Sequence, residues 1–163
     1  MNALIAGFGN MFRCDDGLGC AVVRTLSPDD FPPGVRIRDF GTSGMQLALD
    51  MLADYDLVVI VDAVWREEPA GTVFAIACDE ETVDAGHPAD AHAMTVDAVL
   101  ALHKRLRQQS GVRNEPKILV AGCVPQILDD GMELSEPVRA AIPACADMIR
   151  RLVDQYLAMG AQS

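Results

Sequence analysis

The apolar residues of this chain fall into five short runs, with stretches of helical spacing between them. Asn2-Ala3-Leu4-Ile5-Ala6 is the first run and reads as a buried strand, after which Leu18, Ala21, Val22 and Leu26 recur on one helical face. Between the two lies a glycine-rich turn, Gly7-Phe8-Gly9-Asn10-Met11-Phe12-Arg13-Cys14-Asp15-Asp16-Gly17-Leu18-Gly19. Ser27 to Gly34 is a turn-rich connection carrying Pro32 and Pro33. Val35-Arg36-Ile37-Arg38-Asp39 then alternates apolar and charged residues, the mark of a strand with one wet face at a sheet edge. It runs into Asp39-Phe40-Gly41-Thr42-Ser43-Gly44, and Met45, Leu49 and Leu52 mark the next helix.

Leu57-Val58-Val59-Ile60-Val61 is the most hydrophobic run and reads as a central strand buried on both faces, ending in Asp62. The strand Thr72–Ala77 follows only a short polar connection containing Trp65, Arg66, Glu67, Glu68 and Pro69. A parallel crossover takes about a dozen residues or more, so this strand is expected to run antiparallel. Residues 79–90 form an acidic stretch without a clear period, delivering His87 and His92 ahead of a helix carried by Val96, Val99, Leu100 and Leu102. Lys117–Gly122 is the fifth strand. Ser135 opens a last helix through Ile142, Cys145, Ile149, Leu152 and Tyr156, which Pro143 should kink. The pattern predicts one α/β domain over 1–163: a three-layer α/β/α sandwich with a five-stranded, mostly parallel sheet and one antiparallel strand at 72–77.

Half of the 163 residues are hydrophobic, enough for a sizeable core. The formal charge of −11 excludes a nucleic-acid partner, which calls for a basic face. No apolar run is long enough to span a bilayer and the amino end lacks a basic, cleavable signal, so no membrane partner is expected and the setting is read as cytoplasmic. Five cysteines, Cys14, Cys20, Cys78, Cys123 and Cys145, form no CxxC pair and leave an odd count, which fits reduced thiols serving mostly as small core residues.

The opening turn does not suit phosphate. Gly7 and Gly9 begin a dinucleotide fingerprint, but Phe12 stands where the third glycine should fall, and no Gly-Lys-Ser/Thr is present. Asp15 and Asp16 would repel an anion at that helix start and suit a cation better, although Asp15 alone also reads as a helix cap. Asp39 sits at a strand end, where a turn or capping role is the alternative. Asp62, directly after a doubly buried strand, must emerge at the carboxyl edge of the sheet. His103, inside a helix, reads as a surface or packing residue. If the turns and the helix start share one rim, Asp16, Asp62 and His92 converge there. Two carboxylates and an imidazole suit a divalent ion such as nickel, zinc or manganese, and three ligands with open positions are typical of catalytic sites. Without the ion the carboxylates repel, and at least one pKa should rise. The neighbouring acids make Cys14 a poor nucleophile.

These residues resemble the maturation endopeptidases of nickel–iron hydrogenases. The resemblance rests on Gly7-Phe8-Gly9-Asn10 with Asp15-Asp16-Gly17 and Gly19, on Asp39 with Gly41-Thr42-Ser43-Gly44, on Val61-Asp62-Ala63, on His92, and on Gly122-Cys123-Val124-Pro125. The family's metal-contacting residues map onto Asp16, Asp62 and His92. Its frequent Ser-Pro before the histidine is replaced here by Asp90-Ala91, with His87 as the weaker substitute. The resemblance implies a cytoplasmic hydrolase, an aspartyl-type endopeptidase that removes a carboxy-terminal extension from a hydrogenase large-subunit precursor. It also implies that the nickel is the one already inserted in the precursor, although other divalent ions could occupy the site. Asp16, Asp62 and His92 would grip the nickel, while the nickel or a carboxylate such as Asp39 polarises the carbonyl or activates water. A monomer with a transient protein partner is expected.

Two other readings stand beside this one. A phospho-acceptor receiver domain also has early acids, an aspartate ending its third strand and a lysine near the fifth, but Lys117 begins its strand, at the wrong end to reach Asp62. A non-catalytic nickel-binding assembly factor could use the same pocket.

Overall fold

The computed structural model describes residues 1–78 and 94–160. The strands are β1 (Ala3–Phe8), β2 (Val35–Gly41), β3 (Leu57–Ala63), β4 (Val73–Cys78) and β5 (Lys117–Cys123). The helices are α1 (Leu18–Val23), α2 (Gly44–Asp50), α3 (Val96–Ser110) and α4 (Glu136–Gly160). The five strands form one sheet in the order β2-β1-β3-β5-β4. The β1–β2, β1–β3 and β3–β5 pairs are parallel, and β4 runs antiparallel to β5 with Ile76 opposite Val120. The expected architecture is therefore present, with the antiparallel strand one residue later than the pattern placed it.

The two cores follow from strand alternation. Ile5, Val59 and Leu119 face α1 and α4, packing with Leu18, Val22, Val138 and Ile149. Leu4, Val58 and Ile118 face the opposite way, packing with Leu47, Met51, Val99 and Leu100 of α2 and α3 and the residues beside them. Leu57 to Val61 of β3 are completely buried, and each such side chain contributes about 1.5–3 kcal/mol relative to an exposed one. At the sheet edge, β2 exposes Arg36 and Arg38 between half-buried Val35 and Ile37, as its alternation requires.

One helix departs from the sequence pattern. Met45 and Leu49 are the outward residues of α2, 52 % and 48 % exposed, whereas Leu47, Ala48 and Met51 are buried. The inner face is Gly44, Leu47, Ala48 and Met51, a true helical stripe whose first member is a glycine. A Cβ at Gly44 would come within 2.8 Å of Met94 Sδ and 2.9 Å of Val99 Cγ2, so close approach of α3 selects this face. The last helix, α4, runs as one element from Glu136 to Gly160 with Pro143 inside it. Pro143 lies on the exposed side, while Val138, Ala141, Cys145, Ala146, Ile149 and Val153 are buried. Among the described residues, no helix is long and apolar enough to cross a membrane.

Candidate functional site

The carboxyl ends of β1 and β3 lie side by side, with Gly7 opposite Val61, so the turn after β1 and the residue after Val61 meet at one rim. Gly9 makes the meeting close. Its φ of +130° suits glycine alone, and a Cβ there would collide with the Asp16 carbonyl oxygen and lie 3.5 Å from Asp62 Oδ1. The turn then folds back through a 3-10 segment, Cys14–Gly17, and the Asn10 N–H donates to Asp16 Oδ2 at 2.9 Å. On β3 the Ala63 N–H donates to Asp62 Oδ1 at 2.8 Å. Gly9→Ala should therefore abolish function and lower the melting temperature, which circular dichroism against temperature would check.

Asp16 and Asp62 line one cleft of about 600 Å³, together with Asn10, Arg13, Trp65 and Cys78. Burial raises the pKa of Asp62 well above the ordinary value of 3.8 and the Asp16 charge raises it further, while the Ala63 N–H only partly offsets them. The cleft thus gathers two carboxylates, and the cationic Arg13 on its lining has its guanidinium donating to the Leu128 carbonyl at 3.1 Å, with no ion pair to either acid among the described residues. A divalent cation is the ligand whose charge would relieve both groups, and carboxylate oxygens fit an ion of hard or borderline character.

His92 and its substitute His87 lie outside the described residues. Among the described residues, no cluster of three or more His, Cys, Asp or Glu side chains is arranged to hold a metal ion, so two carboxylates are the donors in view. The chain that follows His92 does border the cleft: Met94, Thr95 and Val96 line it, and Thr95 caps α3 by accepting the Ala98 N–H at 3.3 Å.

Asp39 is placed elsewhere. It does not line the cleft, and its carboxylate accepts from Arg24 at 2.9 Å and from the Gly41 N–H at 3.0 Å. Burial opposes its charge, but the Cys20 thiol, the Gly41 N–H and Arg24 together lower its pKa. It reaches the turn indirectly, through Cys20, whose Sγ also contacts the Gly9 carbonyl at 3.6 Å, and through Gly41, whose carbonyl accepts the Gly9 N–H at 2.9 Å.

Asp15 is a buried anchor rather than a helix cap. It is fully buried and accepts from the Gln126 and Ile127 N–H groups at 2.8 Å each, from the Ser135 N–H at 2.7 Å and from the Ser135 hydroxyl at 2.8 Å. Burial works to raise its pKa, yet these bonds outweigh it and the pKa is lowered. Backbone bonds from Cys14 to Gly131 and from Asp15 to Ile127 join the same two segments. Sequence reasoning placed no role on Asn10, Arg13 or Trp65 as cleft residues. The doublet Asp15-Asp16 offered a signal that the two acids differ, since consecutive residues in a tight turn point to different sides.

The thiols are held protonated where burial is deep: Cys20 is pushed up to about 12, Cys123 to about 11 and Cys145 to about 12, in each case first by burial. None of the five cysteines is in a disulfide bond. The receiver-domain alternative is overturned by the register of β3 and β5. Lys117 pairs with Leu57, at the opposite end of the strands from Asp62, which pairs with Gly122.

The sequence profile described as hydrogenase maturation protease matches residues 20–152. The hydrogenase expression/formation protein HoxM of Azotobacter vinelandii is 34 % identical, over 86 % of this chain and 67 % of its own length. The hydrogenase 2 maturation protease of Escherichia coli is 26 % identical, over 91 % of this chain and 88 % of its own. Among solved structures, the hydrogenase-maturating endopeptidase HybD from E. coli superposes with a TM-score of 0.76 at 26 % identity, covering 96 % of this chain and 94 % of that one. A hydrogenase 2 maturation peptidase from a Thaumarchaeota archaeon gives 0.68 at 30 % identity, over 94 % and 98 %.

Proposed function

The chain belongs to the hydrogenase maturation protease family, and on that footing we propose that it cleaves a carboxy-terminal extension from a nickel–iron hydrogenase large-subunit precursor after nickel insertion. It is a peptide hydrolase, as its relatives are named. The observation that carries the finer reading is the pairing of Asp16 with Asp62 in an open cleft, the second with a raised pKa.

Two carboxylates at strained charge bind a free ion weakly and a precursor-held nickel better, because the precursor supplies the remaining donors. Asp16 and Asp62, with His92 as third ligand, would grip that nickel and so bring the adjoining peptide bond to the rim. Cleavage would then follow metal insertion. A general base works best with a pKa near the working pH. Asp39, held ionised by Arg24 and Cys20 with a lowered pKa, is a weak base, which favours carbonyl polarisation by the substrate's nickel over water activation by Asp39. We place the protein in the cytoplasm, as a monomer that engages its precursor transiently, in keeping with five cysteines that form no disulfide.

The test is incubation with nickel-loaded and nickel-free precursor. Shortening of the large subunit in the loaded sample alone is the expected result. Cleavage of both samples would remove nickel from the recognition, and tight binding to loaded precursor without shortening would favour the assembly-factor reading.

A further inference from the structure

Asn10 belongs to the opening motif and lines the cleft. Its backbone N–H orients Asp16 at 2.9 Å, and its side-chain Oδ1 accepts the Phe12 N–H at 2.9 Å. Those two bonds fix the residue and settle which end of the amide is which, since Oδ1 is the only side-chain atom able to accept. The amide NH₂ has no acceptor among the described residues, and Asn10 lines the cleft beside Asp16 and Asp62. The turn therefore presents an uncharged donor next to Gly9, whose Cα faces the Asp16 backbone carbonyl and the Asp62 carboxylate, while the Asn10 N–H holds the Asp16 carboxylate.

We propose that the Asn10 amide donates a hydrogen bond to the carbonyl oxygen of the peptide bond being cut, an inference that rests on the peptidase reading above. When the water oxygen adds to the carbonyl carbon, the C=O electron pair moves onto oxygen, and Asn10 stabilises that developing negative charge. The pair returns as the C–N bond breaks, the leaving amine takes the proton that the water gives up, and Asn10 exchanges no atom. A neutral donor is what this place can hold. A lysine or arginine would pair with Asp16 and Asp62 and compete with the nickel, whereas an amide leaves both carboxylates available. The donor is preorganised because its other end is already bonded, so little reorganisation accompanies the reaction.

Two substitutions separate this role from a structural one. Asn10→Asp keeps an oxygen for the Phe12 N–H and loses the donor. Asn10→Ser also keeps an acceptor for the turn, adds no charge, and is too short to reach into the cleft. With nickel-loaded precursor, both should lower kcat by roughly 100-fold or more, the effect of removing one oxyanion donor. Precursor binding should stay within about threefold and the melting temperature within about 2 °C, since the turn keeps its bond. A kcat within threefold of wild type in either variant would overturn the assignment. So would a loss confined to binding, a loss that follows a drop in melting temperature, or a deficit in Asn10→Asp alone, which would trace to its added charge. Wild-type protein that leaves loaded precursor intact would instead remove the peptidase reading, and the role of Asn10 with it.

Discussion

Asp62→Asn is expected to melt at a higher temperature than the wild-type protein and to leave loaded precursor uncut. The folded protein raises the pKa of Asp62 by burial and by the Asp16 charge, so the folded state holds this proton more tightly than the unfolded chain. Below the unfolded value of 3.8 the group is protonated in both states and carries no penalty. As pH rises from there through the raised folded value, stability falls, and above that value the full cost of an ionised Asp62 remains. Asparagine has the same shape and no charge, and at neutral pH it removes that cost. Each kcal/mol relieved shifts the midpoint upward by about 2–4 °C in a domain of this size. Processing should fall by at least about 100-fold, because a carboxylate grips a divalent ion and an amide holds it poorly. Calorimetry at neutral pH and a precursor-shortening assay check the two halves. A destabilised Asp62→Asn that still cuts would sink the assignment of Asp62 to the site.

Asp15→Ala should do the opposite to the fold. It strands the N–H groups of Gln126, Ile127 and Ser135 and the Ser135 hydroxyl, all of which now point at one buried carboxylate. Leaving a buried donor unpaired costs about 1–3 kcal/mol, so a loss of at least ~3 kcal/mol is expected even if water reaches some of them. That is a large share of the ~5–15 kcal/mol by which a domain is stable. The pH dependence has the reverse sign to that of Asp62. The folded pKa of Asp15 is lowered, so its contribution is present above 3.8 and disappears as pH falls through the lower folded value. Urea unfolding over a series of acidic pH values should show the wild-type protein losing this contribution and Asp15→Ala lacking it throughout. Processing should also fail in Asp15→Ala, because the turn that carries Asn10 and Asp16 is held to residues 126–135 through this carboxylate. Stability within about 0.5 kcal/mol of wild type would show that the bonds to Asp15 are dispensable.

Adjacent acids thus have opposed work in one turn. Asp15 faces inward and is ionised by hydrogen bonds, whereas Asp16 faces the cleft and raises the pKa of its neighbour across the rim. Asp39, the third acid of the opening half, is tied to Arg24, Cys20 and the Gly41 N–H and does not line the cleft. Local sequence placed Asp15 and Asp16 together at a helix start and Asp39 at a strand end, without separating the roles of the first two. Which way each points depends on the φ of Gly9, the 3-10 segment after Arg13 and the residues 111 to 120 positions further on that meet Asp15.

What the sequence determined by itself was the architecture and the address of the site. Strand runs, helical spacing and the short connection before β4 each follow from local chemistry, and Asp62 had to emerge at the carboxyl edge once the strand before it was buried on both faces. Only the tertiary structure decided which side of α2 faces inward, because Gly44 contributes to that face by having no side chain. It alone decided that Asp15 is a structural anchor while Asp16 shares a cleft with Asp62. Such choices depend on donors and close contacts supplied from far along the chain, and no local pattern of apolar and polar residues carries that information.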